Sequence, residues 1–257
     1  MRRLNTFFLF SGILVALLNS HEAISQADTA RHVSLNGLWD SGSARSYDTT
    51  LHVPGLAYSP DKMNEDSLWY RKKILLPESD WTFATLELKG ARFNPTVYVN
   101  GKEVSHIRGG MAPTYHLLKH PDVIPGDSIT LEIALASMNK VSQSNASYIP
   151  PADHWRSNIS SYLWDDVVLH THRENRIARI IPHTEFDRRQ VAVHCYLEKH
   201  KMDEPTEGKE ESKDSVSLMA VLTNSKGDTL AQTIDTTHLS EDRLILSLPP
   251  TIKKWSP

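Results

Sequence analysis

Thr96-Val97-Tyr98-Val99-Asn100-Gly101-Lys102-Glu103-Val104 reads as two short strands joined by a tight turn. β-branched and aromatic residues alternate with polar ones, and the Asn-Gly pair in the middle tolerates the positive φ angles of a hairpin turn. The same period-two alternation recurs on both sides, at 69–76, 85–88, 128–136 and 165–171, and then at 176–182, 190–198, 215–222, 229–236 and 243–248. No amphipathic helical pattern interrupts these segments, and no repeat of roughly 20 to 50 residues indicates a propeller or solenoid. The expected class is all-β. A break near 172–175 divides a first domain, 26–172, from a second, 173–257, whose evenly spaced strands suit a small sandwich. Within the second, 199–214 is a run of Lys, Glu, Asp, Gly and Pro, expected to be a solvated connection between strands.

The first residues carry an export signal: Arg2 and Arg3, an apolar stretch over 7–18, and the small-x-small end Ala23-Ile24-Ser25. The apolar stretch is shorter than the roughly 20 residues of a membrane-spanning helix. Residues 1–25 are therefore expected to be removed, leaving a mature form that does not contact the membrane. A single cysteine, Cys195, rules out an internal disulfide, and the expected destination is the bacterial periplasm. With 28 basic against 31 acidic residues there is no field to attract nucleic acid, so an uncharged partner is favoured.

Five motifs follow one another: Leu35-Asn36-Gly37-Leu38-Trp39, Val53-Pro54-Gly55, Trp69-Tyr70-Arg71-Lys72, Val97-Tyr98-Val99-Asn100-Gly101 and Leu163-Trp164-Asp165-Asp166-Val167-Val168-Leu169. In order and spacing they resemble the N-terminal sugar-binding domain of family 2 glycoside hydrolases, which include β-galactosidases, β-glucuronidases and β-mannosidases. Trp255-Ser256-Pro257 resembles the signature closing that family's second domain. The resemblance implies a jelly-roll, galactose-binding-like β-sandwich followed by an immunoglobulin-like sandwich, here incomplete. Read physically, Trp39 and Trp69 sit in alternating apolar surroundings that suit a core, whereas for Trp164 a core and an edge position fit equally.

The segment 148–164 has no core pattern and crowds Asp153, His154, Trp155, Arg156 and Asn158 together. Such a loop is where function tends to reside. The resemblance implies that Asp153 matches an aspartate that helps hold the sugar, in the complete enzyme with a sodium or magnesium ion available to the site. A carboxylate accepting from sugar hydroxyls beside a flat indole such as Trp155 is chemically suited to a pyranose. A turn-capping role for Asp153 and burial for Trp155 are the structural alternatives. The segment 58–67 matches a second family loop that approaches substrate and contributes Asn64 as a candidate.

No catalytic residue is expected. Family 2 enzymes act with two glutamates on a (β/α)8 barrel of about 250 residues, far more than follow position 172. The sole Asn-Glu pair, Asn64-Glu65, falls in the first domain. His170 and His172 alternate on one strand face, but with no third ligand nearby they are read as solvent-facing rather than as zinc ligands, and no cofactor is expected. The chain is thus expected to be the front part of an exported glycosidase, with carbohydrate and the absent barrel as its partners. A free-standing carbohydrate-binding protein and an adhesion-type sandwich pair are the rival readings.

Overall fold

The computed structural model describes residues 12–18, 31–43, 45–56, 67–110, 112–136, 162–185, 187–200, 215–238, 240–250 and 252. The chain is all-β, with no helix among these residues. In chain order the strands are β1 (Gly12–Leu18), β2 (Arg31–Ser34), β3 (Gly37–Ser43), β4 (Thr49–Val53), β5 (Leu68–Leu75), β6 (Phe83–Leu88), β7 (Ala91–Arg92), β8 (Thr96–Val99) and β9 (Lys102–His106). They continue with β10 (Thr114–Lys119), β11 (Ser128–Leu135), β12 (Tyr162–Leu163), β13 (Val167–His172), β14 (Asn175–Glu185), β15 (Gln190–Lys199), β16 (Val216–Thr223), β17 (Thr229–Thr237) and β18 (Glu241–Ser247). Two compact units result, Ala30–Arg173 and Glu174–Pro257, the latter also containing β1.

In the first unit a six-stranded antiparallel sheet, β4-β3-β5-β11-β8-β9, and a four-stranded one, β10-β6-β13-β2, form a jelly-roll sandwich, with a β12-β7 ribbon beside them. The core follows from strand periodicity: Trp39, Tyr70, Leu86, Leu131, Ile133 and Leu169 are all buried. The Trp39 indole N–H donates to the Leu35 carbonyl at 2.9 Å, and its ring meets Tyr70 edge-on at 6.4 Å. Lys72 extends its ammonium to the carbonyls of Leu35 and Asn36, both at 3.1 Å, and of Leu38 at 3.2 Å. Two of the sequence motifs are thereby tied to one another. At the hairpin, Asn100 and Gly101 have φ of 50° and 84°, and the Asn100 side chain accepts from the Thr130 N–H at 2.9 Å.

Trp69 corrects the sequence expectation. Since Tyr70 takes the inward position, its neighbour must face outward, and Trp69 lies half-buried on the far face of the six-stranded sheet. It packs with Tyr98 at 5.1 Å, and the Arg45 guanidinium covers both rings at 4.8 and 5.0 Å. Arg45 pairs with Glu132 at 2.6 Å, and the Tyr47 hydroxyl donates to the same carboxylate. Burial pushes the Glu132 carboxyl up, but the hydrogen bonds from Arg45 and Tyr47 and the nearby cations outweigh it and hold it below the usual range.

The histidines also differ from expectation. His170 and His172 do share a face, yet neither is solvent-facing. His172 is 3% exposed, donates from Nδ1 to the Arg173 carbonyl at 2.7 Å, and accepts at Nε2 from the Thr85 hydroxyl at 2.9 Å. His170 places Nε2 2.8 Å from Glu87 and Nδ1 2.5 Å from His32 Nδ1. Neighbouring strands, and for His172 Nδ1 the adjacent Arg173 carbonyl, occupy the ring nitrogens that a solvent-facing reading would leave to water.

The second unit is an immunoglobulin-like sandwich of sheets β14-β15-β18 and β1-β16-β17. Its core is a separate cluster including Val193, Leu197, Leu218, Leu222, Leu244 and Leu246. Cys195 lies in that core, where burial pushes its thiol up to about 11. Most of the polar run at 199–214 falls outside the described residues. Gly12–Leu18, part of the apolar stretch of the expected leader, is paired as a strand with β16.

Candidate functional site

Asp153, Trp155 and Asn64 lie outside the described residues. What the structure shows is the base from which their two segments depart. Leu68, just after 57–66, pairs with Leu135, just before 137–161. The Gly55 N–H donates to the Leu163 carbonyl at 3.0 Å, joining the other two flanks. The Ala136 N–H donates to the Phe93 carbonyl at 2.8 Å, while Tyr162 pairs with Arg92. The residues flanking the two segments are therefore tied to one another and to the first sandwich by backbone hydrogen bonds. Among these flanks, the buried Tyr70 hydroxyl accepts from the Leu163 N–H at 3.3 Å.

The β7/β12 ribbon carries one of these flanks. Ala91 and Leu163 are buried in the core; Arg92 is half-buried, and Tyr162, also half-buried, packs against that core. The Arg92 guanidinium lies 6.0 Å from the Tyr162 ring and donates to its hydroxyl at 3.4 Å. One step along, the Trp164 N–H donates to the Gly90 carbonyl at 3.0 Å, setting Trp164 opposite Gly90. A side chain at Gly90 would place its Cβ 2.5 Å from the indole Cε2 and 2.6 Å from Cδ2, so the missing side chain is what lets the ring lie across the backbone. Trp164 remains 40% exposed, and Leu56, next to Gly55, 58% exposed. The edge position that the sequence left open for Trp164 is the one adopted.

A polar cluster borders the ribbon. Asp166 accepts from the Asn36 amide at 2.8 Å and from Lys89 at 2.9 Å, and the Asn36 side-chain oxygen accepts from the Val167 N–H at 3.0 Å. The Asn36 hydrogen bond, followed by that of Lys89, holds the Asp166 carboxyl below the usual range, and Lys89 is correspondingly raised. This interaction explains why motifs far apart in sequence occur together: Asn36 of the first is bonded to Asp166 of the last. Arg92 and Tyr162 were not legible in the sequence, because only the ladder register brings them together across 70 positions.

Among the described residues, no three His, Cys, Asp or Glu side chains converge as a metal set. Asp153, the position matched to the cation-associated aspartate, lies outside them. Around the ribbon lie the exposed Trp164 ring, the half-buried Arg92 guanidinium and the Asn36–Asp166–Lys89 cluster.

No protein-family profile matches the sequence, and no curated protein matches it. Solved structures do match. A β-D-mannosidase from Dictyoglomus thermophilum superposes with TM-score 0.60 at 17% identity, over 87% of this chain and 31% of its own. A β-D-glucuronidase from the same organism gives 0.59 at 18%, over 91% and 40%. The fold is that of family 2 N-terminal β-sandwiches. The β-glucuronidase of Ruminococcus gnavus gives 0.60 at 15%, over 88% and 40%. At such identities the likeness establishes fold alone, and the chain spans less than half the length of each of these enzymes.

Proposed function

We propose that this chain is the non-catalytic front portion of an exported family 2 β-glycosidase, taking part in carbohydrate breakdown in the bacterial periplasm. The observation that carries this reading is the match in fold over 87–91% of the chain to glycosidases of which it spans 31–40%. The ordered motifs support it, since their residues also hold the fold together. In the complete enzyme the acid/base and nucleophilic glutamates belong to the barrel. This chain narrows the cleft and supplies wall contacts from Asp153, Trp155 and Asn64. The proposed specificity is β-galactosidase-like, although the similar solved structures are of a mannosidase and a glucuronidase.

Two measurements test it. The DNA following codon 257 is expected to continue in frame into a (β/α)8 barrel. The purified chain is expected to turn over none of the aryl β-galactoside, β-mannoside and β-glucuronide, whereas the extended enzyme cleaves at least one. Turnover by the chain alone, abolished by changing one of its own residues, refutes the reading. The exposed Trp164 favours one alternative, a free-standing carbohydrate-binding sandwich. That alternative requires the isolated chain to bind an oligosaccharide tightly enough to shift its tryptophan fluorescence.

A further inference from the structure

Strand alternation pairs His170 with His172 on one face, but the structure gives them different partners. His172 is turned to Thr85 and the Arg173 carbonyl, and the imidazole that meets His170 comes from another strand. β13 lies between β6 and β2, and the β2–β13 ladder sets His32 directly opposite His170. Leu169, Leu86 and Leu88 take the inward positions, so His170 and Glu87 stand on the outer face of the four-stranded sheet. His32 is exposed there, whereas the His170 and Glu87 side chains keep only 15% and 13% of their surface open.

The three groups form a line. Glu87 Oε2 lies 2.8 Å from His170 Nε2, and a carboxylate can only accept, so that nitrogen carries the proton. Neutral His170 then presents a lone pair at Nδ1, 2.5 Å from Nδ1 of His32, with the rings at 85° to one another and their centroids 4.6 Å apart. A proton on His32 bridges two such nitrogens, and a metal ion does the same. The setting of His170 is that of a metal ligand: an imidazole that binds metal through one nitrogen gives its other N–H to a carboxylate, which fixes the tautomer and raises its basicity.

Spacing and donor type select the ion. Two neighbouring nitrogens at about 2.0 Å from one ion stand about 2.8 Å apart in a square-planar shell and about 3.3 Å apart in a tetrahedral one. The observed 2.5 Å is nearer the first, and His32, exposed on β2 at the end of the sheet, has room to swing outward by the difference. For nitrogen donors, cupric ion stands at the top of the divalent series, above nickel and zinc. The sole thiol, Cys195, is buried in the other unit's core, so nothing beside these histidines selects the softer cuprous ion.

We propose that His32 and His170 are the two protein ligands of a divalent metal site, with cupric ion as the preferred occupant, Glu87 as the positioning residue and water in the remaining positions. On coordination the ion takes the place of the bridging proton, and His32 stays neutral by carrying its proton on Nε2. His32 lies beyond the expected leader, residues 1–25, so the site belongs to the exported chain as well. The site depends on neither a sugar nor a barrel.

The untagged chain, stripped with EDTA, is titrated with cupric ion by calorimetry, while pulsed electron paramagnetic resonance counts the bound imidazoles. One tightly held ion per chain with two equatorial imidazoles is expected, and weaker binding of zinc. H32N, a change at an exposed position outside the core, is expected to lower the affinity at least tenfold and to leave one imidazole. E87Q is expected to keep both imidazoles yet weaken binding about tenfold, since only the orienting charge is lost. H183N, exposed on β14, is expected to change nothing. The inference is overturned if the chain takes up no stoichiometric cupric ion at micromolar concentration, if the bound ion shows fewer than two imidazoles, or if zinc binds more tightly. Undiminished binding by H32N marks adventitious capture elsewhere and overturns it too, and undiminished binding by E87Q overturns the part given to Glu87. None of these readouts involves glycoside turnover, so failure of the enzymatic reading is seen separately.

Discussion

Glu132 is 6% exposed yet ionised, and Arg45, Tyr47, Trp69 and Tyr98 are arranged around that charge. E132Q keeps the volume but removes the charge and turns one of the two acceptor oxygens into a donor, so a loss of about 1–3 kcal/mol is expected from the urea midpoint. His116 makes a pH prediction. Burial, and secondarily His106, lowers its pKa from 6.5 to about 4, while its nitrogens are engaged by Thr114 at 3.1 Å and Ser105 at 2.9 Å. Between those values the unfolded chain binds the proton and the folded chain does not, so stability falls as pH drops from about 6.5 to about 4 and then levels. The single-site contribution is about 3 kcal/mol at 1.36 per pKa unit. H116N is expected to remove this part of the slope, which urea titrations at several pH values will show. At Gly90, alanine would collide with the indole of Trp164; G90A is expected to displace that ring and shift its fluorescence without unfolding the core.

Among the elements, the β8–β9 hairpin is where local chemistry and fold agree most closely. Asn100 and Gly101 adopt the positive φ angles expected of that pair, and G101A is expected to cost about 1–2 kcal/mol by thermal unfolding. β5 shows the opposite case. Its strand character was plain in the sequence, but Trp69 and Tyr70 are both large aromatics, and hydrophobicity does not say which faces in. Pairing with β11, Tyr70 against Ile133 and Trp69 against Ala134, settles the parity. The histidines of β13 depart from the solvent-facing expectation for a related reason: their partners Thr85, Glu87 and His32 come from strands far away in sequence. The candidate edge is also a property of elements, since β7 and β12 contribute only two residues each and neither stands out alone.

At the scale of the whole molecule, a net charge of −3 gives no long-range field, so the proposed binding of a neutral sugar rests on contact alone. Affinity for a neutral glycoside, measured by tryptophan fluorescence, is expected to stay constant between about 0.01 and 1 M salt, over which the screening length falls from about 30 to 3 Å. A steep salt dependence would point instead to Arg92 and an anionic ligand. Read alone, the sequence determined the all-β class, the hairpin turn and the order of motifs that gave the resemblance. It could do so because strand alternation and turn chemistry are local, extending over a few residues. Tertiary structure alone decided that Asn36 meets Asp166, that Trp164 lies across Gly90 at the edge beside Arg92 and Tyr162, and that His32 stands opposite His170. Each of these depends on register between strands distant in the chain, and a one-residue change of register would turn every one of those side chains to the opposite face.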